Sequence, residues 1–144
     1  MTTALDVAAY ILQERGEMST WKLQKLVYYS QAWHSVWEDK PLFDEEIEAW
    51  ANGPVVPRLY REHRGQFVLS RDQFAPGDPE QLTDREKIAI DAVLNFYGDK
   101  SGQWLSELTH SEAPWINARV GLRPTERGSR LIPVADMAEY YGGL

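Results

Sequence analysis

The sequence predicts a mainly α, compact single-domain helical fold with a minor short-stranded β element. Three observations lead there. Apolar residues recur at helical spacing in several stretches, and these stretches are bounded by capping residues and glycines. Alternating, strand-like runs are few and short. At 144 residues, with 43% apolar content, six tryptophans and seven tyrosines, the chain can fill one core, and leaving so many aromatics exposed would be costly.

The elements follow in order. Leu5, Ala8, Ala9 and Leu12 share one face of a helix over Ala4–Arg15, with Gly16 as its stop. Ser19 or Thr20 caps a longer helix to about Glu38. In it Gln24, Tyr28, Gln31, Ser35 and Glu38 form a polar stripe, and Leu23, Leu26, Val27, Trp33, Val36 and Trp37 cover much of the rest. An apolar arc that wide predicts a central helix touching several neighbours. Asp39-Lys40-Pro41 ends it. Leu42–Trp50 reads as a turn and a short extended piece, in which Ile47 and Ala49 point one way and Glu48 and Trp50 the other. Gly53 supplies a turn, Pro54 fits a first helical position, and a helix is predicted over roughly Pro54–His63.

Beyond it, Phe67-Val68-Leu69 suits a short strand or an extended contact, and Phe74–Pro79 a surface loop. Thr83 and Glu86 make a capping box for a helix to about Tyr97, stopped by Gly98. Ser101 caps a helix through about Thr109, and Ser111–Arg119 adds a helical turn or two. Gly121–Arg130 is a basic loop, Leu131-Ile132 a possible strand, and Val134–Tyr141 a terminal helix before Gly142-Gly143. No repeat or low-complexity segment interrupts a single domain spanning 1–144.

Composition narrows the function. The chain has no cysteine, so disulfide scaffolds and thiolate metal sites are excluded, and a reducing, cytoplasmic setting is expected. The N-terminal stretch lacks a basic region, and no apolar run reaches membrane-spanning length. A net charge of −7 and a pI near 4.9 oppose nonspecific binding to nucleic acid and suit a basic partner.

The segment of densest information is Ile47-Glu48-Ala49-Trp50-Ala51-Asn52-Gly53-Pro54-Val55-Val56-Pro57-Arg58-Leu59-Tyr60. With the following Arg61, Glu62 and His63, it resembles the signature of the Panacea-domain family, the SocA-like antitoxins of bacteria and phages. The similarity extends upstream through KLQKLVYYSQAWHSVWEDKPLFDEEIEAW and downstream to Leu108-Thr-His-Ser-Glu-Ala-Pro-Trp115, covering about Leu5 to Trp115. It implies a non-enzymatic antitoxin of a toxin–antitoxin system. Such a protein neutralises a cognate, often translation-inhibiting toxin by direct binding, and some members act as adaptors delivering the toxin to a protease.

The residues themselves offer candidate partner contacts. Arg58 and Arg61 lie near one another on a helix, with Tyr60 to one side, and arginine and tyrosine are types that interfaces enrich. The competing reading is a solvated helix face answering the acidic residues 44–48. Trp50 suits a core anchor better than an exposed recognition residue. Glu48, if partly buried, needs a partner, for which Arg58 or Arg61 is the simplest choice. The partner-binding set is therefore Glu48, Trp50, Arg58, Tyr60 and Arg61.

Two other classes compete. Residues 17–38 can be drawn as a helix-turn-helix regulator of the protein's own operon, with Lys22 and Lys25 facing phosphate, but so apolar a second helix favours a structural helical hairpin. A small-molecule hydrolase could draw on His34, His63, His110 and nearby carboxylates, or on Ser106 with His110. No metal-ligand spacing, nucleophile elbow or cofactor motif accompanies them, so no cofactor and no metal are expected.

Overall fold

The computed structural model describes residues 1–144. Helix α1 (Ala4–Arg15) opens with a capping box between Thr3 and Asp6 and ends at Gly16, whose φ is +79°. Strand β1 (Met18–Ser19) leads into α2 (Thr20–Glu38), where the Ser19 hydroxyl accepts from the Lys22 amide. A hairpin follows, β2 (Glu48–Trp50) and β3 (Gly53–Val55), then α3 (Pro57–His63). Strand β4 (Val68–Leu69) pairs antiparallel with β1, Met18 opposite Leu69. After a short 3₁₀ turn at Pro79–Gln81 come α4 (Asp84–Tyr97), α5 (Gly102–His110), α6 (Ala113–Ala118) and α7 (Val134–Gly142). No helix is long and apolar enough to cross a membrane.

Helix α2 runs through the centre, packed by α1, α4, α5, α7 and β3. Its core residues Leu23, Leu26, Val27, Tyr28 and Tyr29 are all essentially inaccessible. Tyr29 stacks on Tyr97 of α4 at 4.1 Å and meets Tyr141 of α7 edge-on at 5.9 Å. The wide apolar arc thus has the physical consequence expected of it.

The polar stripe of α2 differs from a solvated one. Gln24, Gln31 and Ser35 are buried. Gln31 donates from Nε2 to the Phe43 carbonyl at 2.8 Å and accepts the Leu42 amide at 2.7 Å. Buried glutamines here replace strand partners for the irregular chain at 42–43 and for the Val56 amide, which would otherwise be orphaned.

The entry to α3 also departs from expectation. Pro54 lies in β3 opposite Ala49, and the helix begins only at Pro57. Gln24 causes this: its Oε1 accepts the Val56 amide at 2.9 Å and its Nε2 donates to the Val56 carbonyl at 3.3 Å. This clamp holds Val56 extended, as the residue before a proline prefers. The Phe74–Pro79 segment is not a simple surface loop either. Phe74 and Pro79 are buried, and the Asp78 amide donates to Asp6 Oδ1 at 2.8 Å. Leu131 forms a bridge to Glu48 on the free edge of β2.

Candidate functional site

The outer edge of β2 is paired by the chain at 130–132, the outer edge of β3 has no strand partner, and the β2–β3 hairpin is mostly buried. Side chains from α2, α5 and α6 complete it. Arg119 donates to the Ala49 carbonyl at 2.9 Å, Trp115 Nε1 to Trp50 at 2.8 Å, Ser106 Oγ to Asn52 at 3.2 Å and Lys25 Nζ to Pro54 at 3.2 Å. Together with the Gln24–Val56 bond, these tie three distant segments to one turn. Gly53, at φ +118°, fits between them: a Cβ there would sit 2.6 Å from Lys25 Cε and 3.2 Å from Thr109 Oγ1.

Lys25 is the unusual member. It is fully buried with no carboxylate partner; besides Pro54, its Nζ lies 5.0 Å from the centre of the Trp21 ring. Burial lowers its pKa from 10.5 to about 7. Burial also lowers the pKa values of His63 and His110, each with a further contribution from Lys25. His63 Nε2 accepts from Gln24 Nε2 at 3.0 Å, which defines the neutral ring's tautomer. His110 stacks on Trp115 at 4.1 Å, and its Nε2 is buried without a partner. A shallow polar cavity of about 430 Å³, lined by Trp21, Asn52, Gln103, Ser106 and His110 among others, opens beside this cluster.

On the other side of the hairpin lies a more exposed surface. Trp50 is half-buried, a rim residue where a core anchor was expected. Its Nε1 donates to Glu48 Oε1 at 2.8 Å, and its ring meets Tyr60 edge-on at 4.9 Å. Tyr60 in turn meets His63 at 5.4 Å. Glu48 is therefore partnered by Trp50, not by Arg58 or Arg61. Two residues apart on a strand, the two side chains share a face. Arg58 pairs with Glu62 at 2.5 Å, one turn along α3, and not with the acidic residues 44–48. Arg61 is exposed and forms no ion pair within the chain.

The structure thus brings Glu48, Trp50 and Tyr60 into one contact run, with Arg58 and Arg61 on the adjoining helix. It adds Arg127, which sequence reasoning did not place: Arg127, Gly128 and Ser129 line a cavity of about 350 Å³ with Trp50 and Ala51. Arg119 ties the basic loop to β2: besides Ala49 it donates to the Arg123 and Glu126 carbonyls, at 3.1 and 2.5 Å, and the Ala49 amide donates to the Arg130 carbonyl at 2.8 Å.

A profile of the family described as antitoxin SocA-like, Panacea domain, matches residues 23–116, more than half of the chain. The chain belongs to this family. Searches among curated proteins and among solved structures found no match. The Panacea match runs from the first turn of the central helix to Ile116, so it takes in Lys25, the hairpin, α3 and the His110–Trp115 stack. It stops short of the 121–130 loop and α7.

Within this Panacea domain the other sequence candidates fall apart as sites. Lys25 cannot face phosphate, because it is inside the core. The Ser106 hydroxyl is engaged by the Asn52 carbonyl. His34 is buried elsewhere, with Nδ1 3.0 Å from the Lys40 carbonyl. No group of three or more His, Asp or Glu side chains is placed to hold a metal ion.

Proposed function

We propose that this Panacea domain is an antitoxin that neutralises a cognate toxin by direct binding, and that the partner docks on the Glu48/Trp50/Arg58/Tyr60/Arg61 surface. The observation carrying the reading is the contrast in how side chains of the hairpin and α3 are used. Those facing inward are hydrogen-bonded to the fold, whereas Arg61 forms no ion pair and Trp50 and Tyr60 present half-buried aromatic edges. Half-buried tryptophan and tyrosine surrounded by arginine are the side chains from which interface hot spots are built. Steric masking of a translation-inhibiting toxin fits such a surface. The overall negative charge would speed encounter with a basic partner. Delivery to a protease would use the same binding step.

The test is co-expression with the product of the neighbouring gene. Growth rescue together with a stable co-purifying complex is the expected result. Toxicity unrelieved by this chain, with no complex, would remove the proposal.

A further inference from the structure

A second surface, made from elements other than the hairpin and α3, has a different character. A groove of about 530 Å³ runs between α2 and α4 and is closed by α5. Trp33, Trp37, Phe96, Tyr97 and Leu108 line it, and of its nine lining residues only Glu112 is not hydrophobic. Trp37 is 48% and Phe96 67% exposed, so the rim is apolar and open. Glu112, at 6% exposure, lies deep. Its Oε1 accepts from the hydroxyls of Tyr29 and Tyr141, both at 2.7 Å, while its Oε2 accepts no hydrogen bond within the chain.

Oε2 takes no donor from the chain and reaches solvent at the floor of the groove, so a neutral apolar guest would strip its water and give nothing back. Burial raises the Glu112 carboxyl above its usual range, and a cation paired with Oε2 is the guest that restores the ionised form. The tryptophan and tyrosine faces add attraction for an ammonium or guanidinium. The exposed rings of Trp37 and Phe96 require apolar cover on either side of that cation. One kind of occupant satisfies both demands, an amphipathic segment with a basic residue set in its apolar face.

We propose that this groove receives a segment of a partner protein in which one arginine or lysine sits between apolar residues, the cation meeting Glu112 Oε2 and the apolar neighbours covering Trp37 and Phe96. The arrangement is independent of the hairpin surface. It gives this acidic domain a second, chemically distinct point of attachment to a basic partner.

The test uses a helical peptide with a single arginine in a leucine face, and the same peptide with citrulline, its neutral isostere, at that position. Binding is followed by tryptophan fluorescence at physiological ionic strength. The arginine peptide is expected to bind the wild-type chain about tenfold tighter than the citrulline peptide. Glu112→Gln keeps a carbonyl oxygen for the Tyr29 and Tyr141 hydroxyls. It should fold normally and lose the preference. Trp37→Ala should weaken both peptides alike, and the Arg58→Glu, Arg61→Glu variant should bind both unchanged. No binding of either peptide, or a tenfold preference that survives in Glu112→Gln, would overturn the proposal. Loss of peptide binding in the Arg58/Arg61 variant would overturn it too, because it would place the peptide on the other surface.

Discussion

The hairpin and α3 adjoin in sequence and differ in almost every physical respect. In the hairpin, Gly53, Pro54 and Val55 are buried, and the carbonyls around the turn are each met by a donor from a distant helix. In α3, Arg61 projects into solvent and Arg58 is paired only with its own helix. The signature that relates this chain to its family is therefore mostly a construction device. Its glycine and prolines route the chain so that Lys25, Thr109 and Trp115 can close around a turn. The surface available to a partner is the part of the signature with the fewest internal obligations.

The largest expected effect lies on the hairpin side. Gly53→Val combines a strained positive φ with a clash against Lys25 Cε and Thr109 Oγ1, and should cost about 4 kcal/mol, read as a lowered denaturation midpoint. Next is Gln24→Ala. It orphans the Val56 amide and His63 Nε2, while the Val56 carbonyl keeps the Tyr60 amide, for a loss of about 2 kcal/mol. If either variant unfolds no more easily than wild type, the hairpin is not the knot described.

A third effect, modest over any one pH unit, sharpens the contrast through pH. The unfolded chain keeps its Lys25 ammonium up to about 10.5, while the folded chain releases it near 7. Between those values the unfolded state holds more protons, so stability should rise with pH, by up to about 1.4 kcal/mol per pH unit. His63 and His110, with pKa values held below the usual 6.5, act in the same direction at lower pH: stability falls as acid protonates them first in the unfolded chain. Lys25→Met should flatten the rise above pH 7. A rise persisting in that variant would assign it to other groups.

Much of the fold was legible because its signals were local. The Thr83–Glu86 box, the Ser19 and Ser101 caps and the Gly16 stop act within one helical turn, and each element they predict is present. The start of α3 was missed because Gln24, far away in sequence, decides it. One local sign pointed correctly even so: Val56 precedes a proline. The buried glutamines of α2 were unreadable as such, since polar residues on one stripe normally indicate water, and only the folded chain shows the peptide groups they serve. For the candidate site, the proximity of Arg58 and Arg61 followed from helical spacing and the shared face of Glu48 and Trp50 from strand alternation, but the partner expected for Glu48 was an arginine and the structure gives it Trp50. The approach of Arg127 depends on Arg119 and a bridge between distant segments, and spacing carries no trace of it.

The smallest expected change in stability goes with the most direct test of the account. Arg58→Glu with Arg61→Glu changes surface charge and breaks only the Arg58–Glu62 pair within α3, and should shift folding stability by no more than about 1 kcal/mol. Toxin neutralisation by this double variant, measured as growth rescue beside its thermal midpoint, is the decisive measurement. The account predicts a near wild-type midpoint with rescue abolished. Undiminished rescue by the folded variant would contradict it.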